Sequence, residues 1–388
     1  MFERIYTNMT EKAAYDKKAN IPQIRKSKAP GLQIIELQRA FGTEYFITAT
    51  THGEESAPAM FQKAAQAVRQ NRAQILSQEI FGIADSDGAD GKAWREAFQG
   101  IQGPVTWLED GYKIPLCGTH IWAIADAQVH RIETGGNLIG SWFVDSWAKY
   151  CRLGGILSGN NSASRNDQAL HVITKLQDAL HSVKMDYHEV FRTWFYNDNI
   201  LQWYDDFNLV RNDIYQKWGI FDRLIPASTG VGGRNTAGAA LVGGLLAVQP
   251  ISDHCQIQAV LSPLQNPALD YGSSFSRAVE LALPDHRRIF VSGTASINPE
   301  GKTVHIGDPK SQVKLTMEVV FAILKSRGMD WSDVTRALAY FKYAQDAPLF
   351  ERYRNDNQVP DFPVVIVEND ICRDDLLFEL EVDAVRLQ

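Results

Sequence analysis

The chain has 388 residues, too many for one average domain, so two domains are the natural expectation. With 45% hydrophobic and 22% charged residues it can bury its own core, which argues against a disordered chain or a disulfide-stapled scaffold. Its 39 Lys and Arg against 46 Asp and Glu leave a net charge of −7 with no basic run. That excludes nucleic acid and anionic membranes as natural partners, and leaves a small anionic substrate only where arginines gather locally.

Residues 1–30 read as a polar arm with no apolar leader segment. Short apolar runs between Leu32 and Thr50 read as strands, and Ser56 to Gln70 as a helix with Phe61, Ala64, Ala65 and Val68 on one face. The segment from Gly82, GIADSDGADGKA, reads as a loop; strand-like runs follow at VTWLED, HIWAIADAQVHRIE and GSWFVDS. The longest apolar stretch, Ala237 to Val248, has 12 residues, short of the ~20 that cross a bilayer. Four scattered cysteines, Cys117, Cys151, Cys255 and Cys372, form no CxxC pair, which points to a reducing cytoplasm and away from structural zinc. GVGGRNTAG (230–238) lacks the Lys-Ser/Thr of a phosphate loop and reads as a glycine-rich turn before a buried strand. His52-Gly53-Glu54-Glu55 and HIGD (305–308) lack a second histidine at metal spacing and read as turns.

An internal repeat organises the rest. Gln168, Val190, Arg192 and Tyr196 match Gln312, Val334, Arg336 and Tyr340, each 144 residues further on. Ala169, Ile173, Leu176 and Leu180 match Val313, Met317, Val320 and Leu324, one face of a helix in each copy. A β-type stretch follows each helix, then a second helical segment with Phe207 and Arg211, or Phe350 and Arg354, then closing apolar strands. Helices returning to a common sheet make an α+β layer with helices on one face. The turn signal QPISD near residue 250 divides the chain into 31–250, with extra strands upstream, and 251–388.

The motifs SGTASI (292–297), GMDWSDVTRALAY (328–340) and the closing strands through ELEVDAV resemble the Rid (YjgF-like) superfamily. With RTWFY (192–196), YDDFNLVRNDIY (204–215), PASTGVGG (226–233) and NPALDYGSSFSRA (266–278), residues 120–388 resemble the chorismatases. The resemblance implies two tandem Rid-like domains of chorismate-mutase-like architecture, each a mixed sheet with helices on one face. It implies hydrolysis of chorismate or a close enolpyruvyl relative without metal or organic cofactor, and a possible homotrimer with sites at interfaces. It places the acid at Glu379, a grip on the enolpyruvyl carboxylate at Arg352 and Tyr196, and ring binding at Tyr271. It also matches Gly293 and Cys372 to the hydroxybenzoate-forming branch. Two departures are visible. No arginine follows Phe362-Pro363, where Rid deaminases hold a carboxylate and this chain has Val364-Val365; and none precedes Tyr271 in LQNPALD (264–270).

The residues themselves support an acid. Cleaving an enol ether requires protonation of its methylene carbon, hence a carboxylic acid kept protonated near neutral pH by an apolar setting. Glu379 sits in the apolar strand LLFELEV, with Glu381 on the same face; the alternative is a pair of solvated glutamates on an edge strand. Arg352 in ERYRNDN is either a bidentate carboxylate ligand or a surface arginine. Tyr196 is either a hydroxyl donor or a core tyrosine. Arg277 is expected at a helix N-terminus, gripping an anion or lying on the surface. Cys372, beside Arg373, is either a thiol of lowered pKa, whose thiolate opens an epoxide-like intermediate or guides loss of water from the ring, or a small buried hydrophobe. Gly293 leaves room beside the ring. Two rival functions stay open: a Rid-type enamine/imine deaminase and a catalytically silent metabolite-binding protein.

Overall fold

The computed structural model describes residues 21–52, 55–84, 86–109 and 117–388. These residues form three six-stranded sheets. Sheet A contains β1 (Gln23–Ala29), β2 (Leu32–Gln38), β3 (Thr43–Thr50), β4 (Gln74–Phe81), β5 (Val105–Leu108) and β6 (Gly118–Ala125). Sheet B contains β7 (His130–Thr134), β8 (Asn137–Val144), β9 (Ala148–Ile156), β10 (Val190–Asn197), β11 (Ala227–Gly232) and β12 (Leu241–Pro250). Sheet C contains β13 (Gln256–Val260), β14 (Ala278–Ala282), β15 (His286–Ala295), β16 (Val334–Phe341), β17 (Val365–Glu368) and β18 (Phe378–Leu387). Each sheet has the same order, its first three strands followed by the sixth, fourth and fifth. Only the fourth and fifth strands pair in parallel.

Two helices accompany each sheet: α1 (Ala57–Gln70) and α2 (Ala89–Ala97), α3 (Arg165–Ser182) and α4 (Tyr204–Lys217), α5 (Pro309–Ser326) and α6 (Pro348–Asp356). Each helix layer seals its own apolar cluster against one sheet. The opposite faces of all three sheets share a further cluster that includes Phe81, Trp194, Tyr196, Phe290, Leu338 and Val365. The seams run in a ring, with β5 against β9, β11 against β15, and β17 against β3 and β6.

The tandem Rid-like α+β architecture is therefore present, and the repeat has a physical basis. Gln168 and Gln312 are buried at the starts of α3 and α5, where their side-chain oxygens accept from Ala240 N (2.9 Å) and Leu377 N (2.8 Å). Asp186 and Asp330 open matching capping boxes before β10 and β16. Sheet A lacks these markers: Ser77 and Phe81 stand where the other copies have arginine and tyrosine. The extra strands expected upstream are thus a complete sheet of the same order. Residues 23–29, expected in the polar arm, form the exposed edge strand β1, whose lysines and arginine blunt the edge; residues 1–20 lie outside the described residues. Residues 89–97, expected partly as loop, are helical because Trp94, Ala97 and Phe98 pack inward. The turn at 251–255 separates sheets B and C, and 230–238 is the end of β11 plus the loop before β12. His52 and Glu55 sit in a turn, while Gly53 and Glu54 lie outside the described residues. Among the described residues no helix is long and apolar enough to cross a membrane.

Candidate active site

Sheets B and C are stitched along β11 and β15. Ser228 N donates to Ser292 Oγ (2.9 Å), Gly293 N to Thr229 Oγ1 (3.0 Å), and Gly232 N to Asp370 O (2.7 Å). A register shift between Val291 and Thr294 lets β15 swing away, and a cleft of about 550 Å³, partly open to solvent, lies beside it. Sheet B lines it with Tyr204, Arg211 and Ser228, and sheet C with Tyr271, Arg277, Gly293, Cys372, Arg373 and Glu379.

Five of the seven expected residues thus meet. Glu379 is 4% exposed, makes no ion pair among the described residues, and burial together with the Glu381 charge pushes its carboxyl up to about 8. It is a protonated acid at neutral pH. Gly293 leaves room for that acid: a Cβ there would lie 1.9 Å from Glu379 Oε1. Tyr271 lies under the Arg277 and Arg373 guanidiniums, 5.3 and 5.9 Å from its ring centre. Arg277 is buried, but it precedes strand β14 instead of a helix, and its Nε and Nη2 donate to Asn266 O (3.0 and 2.9 Å). It makes no ion pair among the described residues, and its guanidinium lies against the backbone of the stretch that lacks the expected arginine. Cys372 lines the cleft, but burial and the Glu379 charge push its thiol up to about 12. It is a neutral thiol, and the expected lowering by Arg373 does not overcome desolvation.

The other two lie elsewhere. Arg352 is exposed on α6, its side chain on the solvent face of the helix. Tyr196 is buried in the axial core with its ring 6.1 Å from that of Phe81, and it does not line the cleft. From the matching helix of the other copy Arg211 does line the cleft, 1% exposed, with Nη2 bonded to Asn208 Oδ1 (2.8 Å) and Nε lacking a hydrogen-bond partner among the described residues. Its repeat partner Arg354 is neutralised by Glu351 (2.9 Å) and Asp361 (2.7 Å). The sequence carried this signal: Asn208 replaces the acidic residue of the other copy, Glu351. Arg211, Arg277 and Arg373 give the acidic chain a local cationic cleft, fit for an anion with more than one carboxylate.

In the other two sheets the matching position of the sixth strand holds no acid. Glu379 lies opposite Tyr340; Val242 lies opposite Tyr196, and Gly118 opposite Phe81. The acid is therefore present in one copy of three. At the seam of sheets C and A the side chain of Val365 fills the space over Gly118, where a Cβ would meet Val365 Cγ2 at 2.7 Å.

Fold and cleft together define an α+β protein of three like-ordered sheets with a buried acid where two of them meet. No family model matches the chain. A chorismatase of Streptomyces rapamycinicus is 29% identical over 220 residues, 51% of this chain and 64% of that protein. A 3-hydroxybenzoate synthase of Streptomyces hygroscopicus is 28% identical over 222 residues, 50% of this chain and 63% of that protein. The chain thus spans less than two thirds of the length of these curated relatives. A crystal structure of chorismatase shares the fold, with a TM-score of 0.63 and 20% identity over 89% of this chain and 100% of that one. Relatives and fold agree with the chorismatase resemblance carried by the sequence motifs.

Proposed function

We propose that the chain is a chorismatase-like hydrolase that releases pyruvate from chorismate or a close enolpyruvyl relative, with 3-hydroxybenzoate as the aromatic product. The observation that carries this reading is Glu379, a carboxyl held protonated near neutral pH at the edge of a cationic cleft. Arg211 and the Arg277–Arg373 pair bind the two carboxylates and bring the enol ether to Glu379. Glu379 gives its proton to the methylene carbon, and the ether oxygen stabilises the resulting cation. Water adds to that cation, and the adduct collapses to pyruvate and a ring alcohol. Loss of the second ring hydroxyl, with the hydrogen on the carbon that bore the ether, then yields 3-hydroxybenzoate. One water enters and one leaves, so the two products together are isomeric with chorismate. The product assignment draws on the name of one relative and on the Gly293–Cys372 pair. A neutral Cys372 suits guidance of water loss better than nucleophilic opening of an epoxide.

The test is incubation of the full chain with chorismate, with pyruvate measured enzymatically and the ring product by chromatography with ultraviolet detection. Pyruvate in step with 3-hydroxybenzoate is expected. A non-aromatic diene diol would overturn the product, and absence of pyruvate would overturn the function.

A further inference from the structure

Sheet A contributes no side chain to the cleft, yet it is wired to the acid through buried charges. Glu79 on β4 accepts Arg336 Nε (3.0 Å) and Nη2 (2.6 Å) through one oxygen and Arg152 through the other. Arg336 Nη1 donates to Glu381 Oε1 at 2.7 Å. Glu381 is fully buried and also accepts from Arg192 Nη2 (2.8 Å) and Trp194 Nε1 (3.2 Å). Two residues along β18, and therefore on the same face, Glu379 has no such donors among the described residues.

Two carboxylates on one buried face cannot both ionise cheaply. The one with three donors is the anion, and the other keeps its proton. We infer that Glu381 and Glu79 are positioning residues: the Glu79–Arg336–Glu381 chain fixes an anion beside Glu379 and so preserves it as a proton donor. Sheet A thereby serves the chemistry without touching substrate. This inference rests on Glu379 being the acid of the proposed function. Glu79 matters because it holds Arg336 Nε and Nη2 and so directs Nη1 onto Glu381. The other groups around Glu379 are Arg192 from β10, Tyr340 from β16, Tyr204 and Arg211 from α4, Tyr271 and Arg277 before β14, and Cys372 and Arg373 before β18. Of the neighbouring charges, the Glu381 anion outweighs Arg192 in setting the Glu379 proton.

The test combines the pH profile of pyruvate release with an infrared titration of the protonated carboxyl band that Glu379→Gln removes. The infrared measurement needs no substrate. In wild type, band and activity should both fade near pH 8. In Glu381→Gln both should move down by about one pH unit or more, in Glu79→Gln by less, and in Glu381→Asp hardly at all. A folded Glu381→Gln whose band fades at the wild-type pH overturns the inference. If Glu381→Gln does not fold, Glu79→Gln decides: a downward move supports the relay, and an unmoved band overturns it. Absence of pyruvate from the wild type would sink the proposed function, while the infrared titration would still decide the relay. Normal pyruvate release with an unmoved band in the variants would sink the relay alone.

Discussion

Glu379 and Val242 hold the same place in two copies of one sheet, and only the first can deliver a proton. Replacing Glu379 with Gln keeps the shape and removes the proton, so pyruvate release should fall by ~10²–10⁴ with the fold intact by circular dichroism. Gly293→Ala tests the same atom from the other side, because its methyl would displace the Glu379 carboxyl. Its kcat should drop while substrate KM changes little. Arg211→Ala should raise KM by the equivalent of ~2–5 kcal/mol for loss of a buried charged contact, with Lys rescuing poorly. Arg352→Ala should leave steady-state kinetics at wild-type values. Arg211 and its repeat partner Arg354 sit in helical segments following aligned phenylalanines, and the exchange of an acidic neighbour, Asn208 against Glu351, marks Arg211 as the uncompensated one.

Strand β18 shows what alternation reveals and what it hides. Its pattern placed Glu379 and Glu381 together on an apolar strand, but it could not show which of them receives the arginines. The fold gives Arg192 and Arg336 to Glu381, and leaves Glu379 up at about 8 and Asp383 up at about 6. Acids whose folded pKa is raised bind protons more tightly in the folded than in the unfolded chain. Their contribution to stability is complete below the unfolded values near 4 and is lost as pH rises through about 6 and about 8. The melting temperature of the wild type relative to that of Glu379→Gln should therefore decline from pH 5 to pH 9, as calorimetry of both proteins across that range would show. An equal slope in both proteins would remove Glu379 as a protonated group. The edge strand β1 was illegible for a different reason: its seven residues, QIRKSKA, carry an edge strand's charges and no alternation.

At the level of the whole molecule, two copies were legible because β10 and β16 share buried arginines and matching caps, whereas the first copy replaced those side chains and kept only the backbone order. Three sheets in a closed ring bear on the expected homotrimer with sites at interfaces. Both walls of the cleft come from one chain, and seams of the kind an interface site would use are already filled within it. Light scattering should give the mass of one chain, with specific activity independent of protein concentration. Activity that appears only on association would contradict this. Buried charges link the ring as well: Arg39 of sheet A contacts Asp145 (2.6 Å) beside sheet B and Asp285 (2.9 Å) beside sheet C. Removing one partner, as in Arg39→Met, should lower stability by ~3–5 kcal/mol in denaturant titration, because carboxylates would be left buried without their cation.

The most direct measurement is the pH dependence of pyruvate release from chorismate by the wild type and by Glu379→Gln. A buried acid that must be protonated predicts full activity on the acidic side, loss as pH rises through about 8, and a Gln variant nearly silent at every pH. A Gln variant that releases pyruvate at close to the wild-type rate, or a wild-type rate that climbs through pH 8, would contradict the assignment of Glu379 as the proton donor.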